Sequence, residues 1–393
     1  MQEAVIVAGA RTPTGNFGGS LSSIPAPELG AIVVKEVLNR AKVEGHAVDE
    51  VIFGTHFQAG IKANSARQAA IYAGLPVEVP AWTPNKNCGT ALKAVNLAAQ
   101  SIMLEQADII VAGGGECMSR IPYVLNKARF GYRMGNEQLL DSMFYDGLVD
   151  PFMNYHMGIT AENLAEKYGV SRREQDEFAC RSHQNAARAA QAGLFNDEIV
   201  AVDVSAKKET RRFSQDESIR PDIKIEELAS LKPVFKKDGT VTPGNASPLN
   251  DAAAAVLMMS ARKAAELGKK PLAKVVDFTA AGVHPSIMGY GPVPAVSKLL
   301  ARTGVKKEEI DIWELNEAFA SQAIVCAREL GLDMAKVNVN GGAISLGHPV
   351  GCTGARLVVS AMYELERRQA RYALISMCIG GGQGIATLIE RCG

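Results

Sequence analysis

Residues 88–115 read CGTALKAVNLAAQSIMLEQADIIVAGGG, and residues 352–382 read CTGARLVVSAMYELERRQARYALISMCIGGG. Both run turn, amphipathic helix, apolar strand, triple glycine. The second copy has three more residues between its first cysteine and its glycines. A supersecondary unit repeated within one chain points to two similar α/β halves from a duplication. A site in such a molecule belongs where equivalent loops of the two halves meet.

Outward from these units, short apolar runs alternate with longer amphipathic ones. "AVIVAG" reads as a buried strand and "APELGAIVVKEVLNRA" as a helix. "EVIFGTHF" reads as a strand, followed by the helix "SARQAAIYAGL" with Ser65 as candidate cap. This is the βαβ signature of a mainly parallel sheet with helices on its faces. From about 119 to 249 charged runs such as "SRREQDEFACRSHQNAARAA" and "AKKETRRFSQDESIRPD" dominate and strand signals thin out. The α/β texture returns after about 270. The expected division is a first half over 1–118, completed by about 250–270, an inserted helical and loop domain over 119–249, and a second half over 271–393. "DAAAAVLMMS" is open between a helix, from its alanines, and a strand buried on both faces.

The chain has 393 residues, enough for two or three domains, with 47% hydrophobic and 21% charged residues. Its formal net charge is zero, so no basic excess points to nucleic acid or an anionic membrane. Seven scattered cysteines with no CxxC pair argue against a disulfide framework and for a reducing compartment. The N-terminus has no basic or long apolar leader, the C-terminus reads as neither a peroxisomal nor a prenylation signal, and no apolar run approaches the ~18 residues of a membrane span. A cytoplasmic protein is expected.

Cys88 sits where an extended segment meets a helix. The macrodipole and free N–H groups there favour a thiolate and are expected to lower its pKa; the plainer alternative is a buried structural cysteine. His348, in "GGAISLGHPVGCTGAR" at 341–356, stands in a glycine-rich turn, either exposed and idle or placed to take a thiol proton. Cys378 ends a strand before a glycine run whose N–H groups can hold an oxyanion; it is open between structural, nucleophilic and proton-transfer roles. Asn316 and Glu317 follow a strand and open a helix, so Asn316 is either a cap or an orienting amide. Neither a P-loop nor a well-placed dinucleotide fingerprint appears. His348 and Cys352 have metal-pair spacing but no further ligand pair.

Taken together and in order, "NKNCGTA", "GNASPLND", "NEAFA", "GGAISLGHPVGCTGAR" and "CIGGGQG" resemble the thiolase family, closest to its biosynthetic, acetyl-CoA-condensing branch. "VIVAGARTPTGNFGGSL", "ARQAA", "GGGECMSRIPY", "HMGITAENLA" and "DESIRPDIKIEELASLKPVF" fit as well, so the likeness spans essentially the whole chain. It implies two five-stranded α/β halves packed as layers, with an inserted loop domain. It implies Cys88 as the acylated nucleophile, His348 as its base and Cys378 as the second acid/base. Asn316 would hold a water that, with His348, stabilises an enolate. The N–H groups of Cys88 and Gly380 would form a second oxyanion hole. Ser247 would meet the pantetheine arm and Arg220 the nucleotide end. Leu148, Phe235, Leu249, Met288, Ala318 and Phe319 would line the tunnel, with Met157 narrowing the acyl pocket and His156 touching the thioester.

The resemblance implies no permanently bound cofactor and no metal, with coenzyme A and acyl-CoA as substrates, and a dimer or tetramer with contacts around 119–145. This sequence departs from the family pattern at Thr90-Ala91, where Ser-Gly is usual. Pro248 and Ala252 stand where glycines are common, and Pro243 where a small residue is usual; all three are expected to stiffen the loop on coenzyme A. The rival readings are a longer-chain 3-ketoacyl-CoA thiolase, a decarboxylating ketoacyl synthase and a thiolase-like binding module. Met157, Cys378 and the complete catalytic set argue against them in turn.

Overall fold

A computed structural model describes residues 2–206 and 209–393; Lys207 and Lys208 of the second charged run lie outside the described residues. The first half is built from β1 (Ala4–Arg11), α1 (Ala26–Ala41), β2 (Glu50–Gly54), α2 (Ser65–Tyr72), β3 (Ala81–Trp82), α3 (Thr90–Met103) and β4 (Ile109–Cys117). The chain then leaves the sheet and forms α4 (Met157–Tyr168) and α5 (Arg172–Gln191) before returning as β5 (Asn250–Ser260). The second half follows: β6 (Ala273–Gly282), α6 (Pro292–Thr303), β7 (Ile310–Leu315), α7 (Ala320–Glu329), α8 (Thr353–Arg368), β8 (Tyr372–Ile379) and β9 (Gln383–Arg391).

The strands run β3-β2-β4-β5-β1 in the first half and β7-β8-β9-β6 in the second. The duplication is visible in the ladder. β2 and β4 are parallel, as are β7 and β8; β5 and β1 are antiparallel additions, as are β9 and β6, so the sheet is mixed and not mainly parallel as the βαβ pattern suggests. The place of β3 is taken in the second half by Val337, which makes a single parallel bridge to Trp313. β1 and β6 join the halves through two residue pairs, Val5 with Lys274 and Ile6 with Ala273.

Because that seam is short, the sheets fold over α3 and α8. Leu92, Val95 and Ala99 of α3 share one core with Leu357, Val358 and Leu365 of α8, between Ile110 of one sheet and Ile375 of the other. The outer faces are closed by α1 and α2 through Leu29, Val33 and Ala69, and by α6 and α7 through Val296, Leu299 and Ala323. Both helices that begin at the repeated cysteine turns therefore lie side by side in the central layer.

Three local expectations change. "DAAAAVLMMS" lies wholly in β5, buried at every position, because β1 and β4 flank it and helices cover both faces; tertiary context overrides alanine's helix propensity. Asn64, not Ser65, caps α2: its Oδ1 accepts the Arg67 N–H at 3.0 Å while its backbone sits at φ 50°, which asparagine tolerates. Ala252 does not stiffen a loop. It pairs with Glu116 inside the sheet and packs against Ala91, Cys352 and Ala355.

The first triple glycine is structural. A side chain on Gly114 would collide with the carbonyl of Gly351, and one on Gly113 with that of Ala254. Bare backbone here lets the 347–352 turn sit directly on β4.

Candidate active site

Three turns converge at the N-terminal ends of α3 and α8: residues 84–89, residues 341–352, and residues 380–382 between β8 and β9. In the first, Asn87 takes the left-handed conformation at φ 46°, its N–H donating to Asn85 Oδ1 at 3.0 Å. Thr90 Oγ1 accepts the Lys86 N–H at 2.8 Å, so the threonine substitution serves as a local cap. This geometry delivers Cys88 just before the first turn of α3, with Gly89 as N-cap. Across the interface between the halves, the Gly380 N–H faces the Cys88 sulfur closely enough to draw its pKa down.

The expected acidic thiol is not found. Burial pushes the Cys88 thiol above its ordinary value, and the N–H groups of Gly380 and of Cys88 itself offset that only partly. Desolvation outweighs these two N–H groups. Cys88 therefore rests as a thiol and needs a base.

His348 is buried, 7% exposed, so the idle-surface alternative is removed. Its N–H donates to Asn250 Oδ1 at 3.0 Å. Its Nδ1 lies 2.7 Å from Thr353 Oγ1, and that hydroxyl spends its hydrogen on the Pro349 carbonyl at 2.9 Å. The threonine must accept, so Nδ1 carries the proton and Nε2 is left with a lone pair. Burial, with Arg356 and His56 adding positive charge nearby, lowers the His348 pKa to about 3. The imidazole is a neutral base with fixed tautomer.

Nε2 faces Asn316 Nδ2 at 3.5 Å, the outer limit of a hydrogen bond. Asn316 is not a helix cap: α7 starts at Ala320 behind Phe319, and the Asn316 N–H bonds the Ser376 carbonyl at 2.9 Å. Its Oδ1 is buried and, among the described residues, has no hydrogen-bond partner. A buried amide held beside an imidazole in this way can share an oxygen with it. Glu317 points away. It accepts Ser182 Oγ and Asn338 Nδ2, each at 2.7 Å, and the Ile344 N–H at 3.1 Å, fixing the 338–344 turn to α5.

Cys378 closes β8, fully buried in an apolar cluster with Met157, Met288, Ala318 and Phe319. Burial holds its thiol well above the ordinary range, with Cys88 and Cys326 adding to the shift. A side chain on Gly380 would strike the Met157 methyl, so Met157 presses on the turn beside Cys88. His156 caps α4 by accepting the Gly158 N–H on Nδ1 at 2.9 Å and stacks on Phe235 with centroids 4.4 Å apart. Phe235 meets Phe319 edge-on at 6.2 Å. Leu249 packs near Cys88 with Phe57 and Val350. Leu148 is half-buried and, among the described residues, belongs to neither of these clusters.

Ser247 donates both its N–H, at 3.0 Å, and its hydroxyl, at 3.1 Å, to the Ala318 carbonyl. This pins the 243–249 loop to the turn after β7. Beyond it lies a cleft of about 110 Å³ lined by Arg220, His183, Ser218, Pro243, Ala246 and Pro248. Pro243 and Pro248 do stand on this loop. Arg220 is exposed at the cleft, its N–H on His183 Nδ1 at 3.2 Å. Sequence reasoning missed Thr353, Asn250 and Asn87. A hydroxyl at the start of the helix after His348 was the one available signal.

The family sequence model described as "Thiolase, N-terminal domain" matches residues 4–262, and that described as "Thiolase, C-terminal domain" matches residues 269–391. The chain belongs to the thiolase family. Among thiolases, it is 54% identical over 392 residues to an acetyl-CoA acetyltransferase of Pseudomonas aeruginosa, covering 100% of both chains. It is 53% identical to one of Chromobacterium violaceum, covering 99% of this chain and 100% of that one. The crystal structure of the Bacillus anthracis acetyl-CoA acetyltransferase superposes with a TM-score of 0.98 at 46% identity, covering 100% of this chain and 99% of the other. This thiolase fold brings Cys88, His348, Asn316, Cys378 and Gly380 to one place.

Proposed function

We propose that the chain is an acetyl-CoA C-acetyltransferase, condensing two acetyl-CoA to acetoacetyl-CoA and CoA, reversibly and by a ping-pong course through acyl-Cys88. The observation that carries this is the half-buried thiol Cys88 set against the Gly380 N–H, with a neutral imidazole and a fully buried second thiol in the same site.

Cys88 Sγ attacks the thioester carbonyl and its proton passes to His348 Nε2. The N–H groups of Cys88 and Gly380 hold the oxyanion. Cys378 protonates the departing CoA thiolate, which leaves Cys378 as a strong base. Its thiolate then removes an α-proton from the second acetyl-CoA. The enolate oxygen is held by protonated His348 and by Asn316 through water. The enolate carbon attacks acyl-Cys88, and Cys88 leaves, recovering its proton from His348. The count closes, and the high resting pKa of Cys378 is what this sequence requires.

Ser247, Arg220, His156, Leu249 and the aromatic pair Phe235–Phe319 are proposed to carry coenzyme A, with Leu148 at the tunnel edge. No permanent cofactor is involved. Met157 and Met288 shorten the acyl pocket, which favours acetyl over longer chains. Comparable thiolysis of acetoacetyl-CoA and 3-ketodecanoyl-CoA by purified protein would overturn the short-chain assignment. A steep drop with chain length, restored for the longer substrate in Met157→Ala, is the expected result.

We further propose a homotetramer. Phe130 is 91% and Met134 97% exposed in the 119–145 stretch, beside Tyr123, Leu139 and Tyr145. Exposed apolar surface on this scale marks an interaction site; light scattering should give four copies, and two if Phe130 and Met134 become serine. Among the described residues no helix is long and apolar enough to cross a membrane. Cytoplasmic residence, suited to seven free thiols, and a place in fatty-acid and ketone-body metabolism belong to the same proposal.

A further inference from the structure

The nucleophile turn of the first half is tied to the glycine turn of the second by two side chains. Asn87 Nδ2 donates to the Gly380 carbonyl at 3.0 Å, and Lys86 Nζ donates to Gln383 Oε1 at 2.7 Å. Gly380 is thereby held on both sides: its carbonyl by Asn87, its N–H against Cys88 Sγ. Met157 closes the remaining side. Asn87 is itself fixed, because its N–H goes to Asn85 Oδ1. Asn85 in turn is locked to His56, whose Nδ1 lies 3.3 Å from Asn85 Oδ1 and whose carbonyl accepts Asn85 Nδ2 at 3.0 Å. His56 hangs from Glu116, which accepts its N–H at 3.0 Å and also the Gly351 N–H at 3.0 Å. One chain of hydrogen bonds thus runs from the His348 turn through the Cys88 turn to Gly380.

Glycine supplies no side-chain contact of its own to fix a peptide, and Gly381 and Gly382, which follow, both have positive φ, at 83° and 84°. The Gly380 N–H belongs to the peptide that ends β8, where Ile379 is still paired with Gln383, so the strand fixes one side of it; the other side, through the Gly380 carbonyl, is left to an outside contact. We propose that Asn87 is a positioning residue that orients the Gly380 N–H toward the thioester oxygen during acylation of Cys88. The inference rests on the reading of Cys88 as the acylated group. In that step the Cys88 sulfur–carbon bond forms, the carbonyl electron pair moves to oxygen, and the CoA sulfur–carbon bond breaks. CoA leaves with a proton from Cys378. Asn87 touches none of the reacting atoms.

The test uses acetyl-CoA and isotopically labelled CoA with the full-length protein. Exchange of label reports acylation and its reversal without carbon–carbon chemistry. Asn87→Gly removes the donor and accepts the left-handed backbone. Asn87→Asp keeps the shape and the backbone preference but offers only acceptors. Loss of an oxyanion donor costs about 10²–10³-fold, so misaiming one is expected to slow exchange by about 10–100-fold in both variants. CoA affinity by calorimetry should stay within about twofold, since ground-state binding is untouched.

Exchange at the wild-type rate in both variants overturns the proposal while leaving acyl-Cys88 in place. Exchange and CoA affinity falling together also overturns it, as general loosening of the site. If the wild type forms no acyl-Cys88 on acid quenching and mass analysis, the underlying reading fails and the proposal with it.

Discussion

Cys88 and Cys352 stand at the same point of a duplicated unit, each at the start of a central-layer helix. Cys88 is half-buried, two residues before α3, with a backbone N–H from the other half on its sulfur. Cys352 is the N-cap of α8, fully buried among Ala91, Ala252, Ala254 and Ala355, and burial pushes its thiol up to about 12. A helix N-terminus is common to both, so it does not make the nucleophile. What differs is what faces the sulfur: small side chains in one case, a polar turn from the partner half in the other. The glycine triplets diverge in the same way. Gly113–Gly115 lie inside β4 and allow close packing, whereas Gly380–Gly382 lie past the end of β8, where the Gly380 N–H faces the Cys88 sulfur.

The cysteine pair gives the largest contrast. Cys88→Ala should abolish the acyl adduct and lower thiolysis by about 10⁴-fold or more, as losing a nucleophile does. Cys352→Ala should leave turnover within about twofold and cost about 1 kcal/mol in denaturant unfolding, the scale of one small buried group. Equal loss of activity in both would erase the distinction.

Cys378→Ala comes next. It should still acylate at Cys88 in a mass-spectrometric assay, more slowly than the wild type because the departing CoA thiolate then takes its proton from water, while thiolysis falls by about 10²–10⁴-fold through loss of the acid/base. Full turnover would remove Cys378 from its role. Thr353→Val then asks how much the second half's helix start contributes. It leaves the buried His348 Nδ1–H without an acceptor, at about 1–3 kcal/mol, and should lower kcat by about 10-fold or more with KM less affected.

The smallest effect is in pH. A raised thiol has less thiolate at any given pH, so iodoacetamide should alkylate Cys88 more slowly than free cysteine at pH 7. The rate should climb through and beyond the ordinary thiol value. His348, lowered to about 3, stays neutral and adds no step near pH 6.5. A step there would reveal a thiolate–imidazolium pair.

The layered α/β architecture is legible because a repeated helix–strand unit leaves a period in the sequence. Cys88, His348 and Cys378 stand out locally only as candidates in unusual turns, and the roles given to them come from the family resemblance. The misses share a cause. Asn64 in place of Ser65, the strand at 250–260, the buried place of Ala252 and the high pKa of Cys88 all depend on what packs against a segment from far along the chain. The tautomer of His348 likewise needed Thr353 and Pro349 in three dimensions. Local pattern shows which turns are unusual; it does not show what they face.

The central claim is that Cys88 carries the acyl group and Cys378 handles the proton. Its most direct test is thiolysis of acetoacetyl-CoA by CoA, followed by loss of the enolate absorbance, with acid-quenched intact mass taken in parallel for wild type, Cys88→Ala and Cys378→Ala. Expected are turnover and one acetyl group on the wild type, neither on Cys88→Ala, and an acetyl group without appreciable turnover on Cys378→Ala. Turnover by Cys88→Ala, or an acetyl group on any residue other than Cys88 in the wild type, would contradict it.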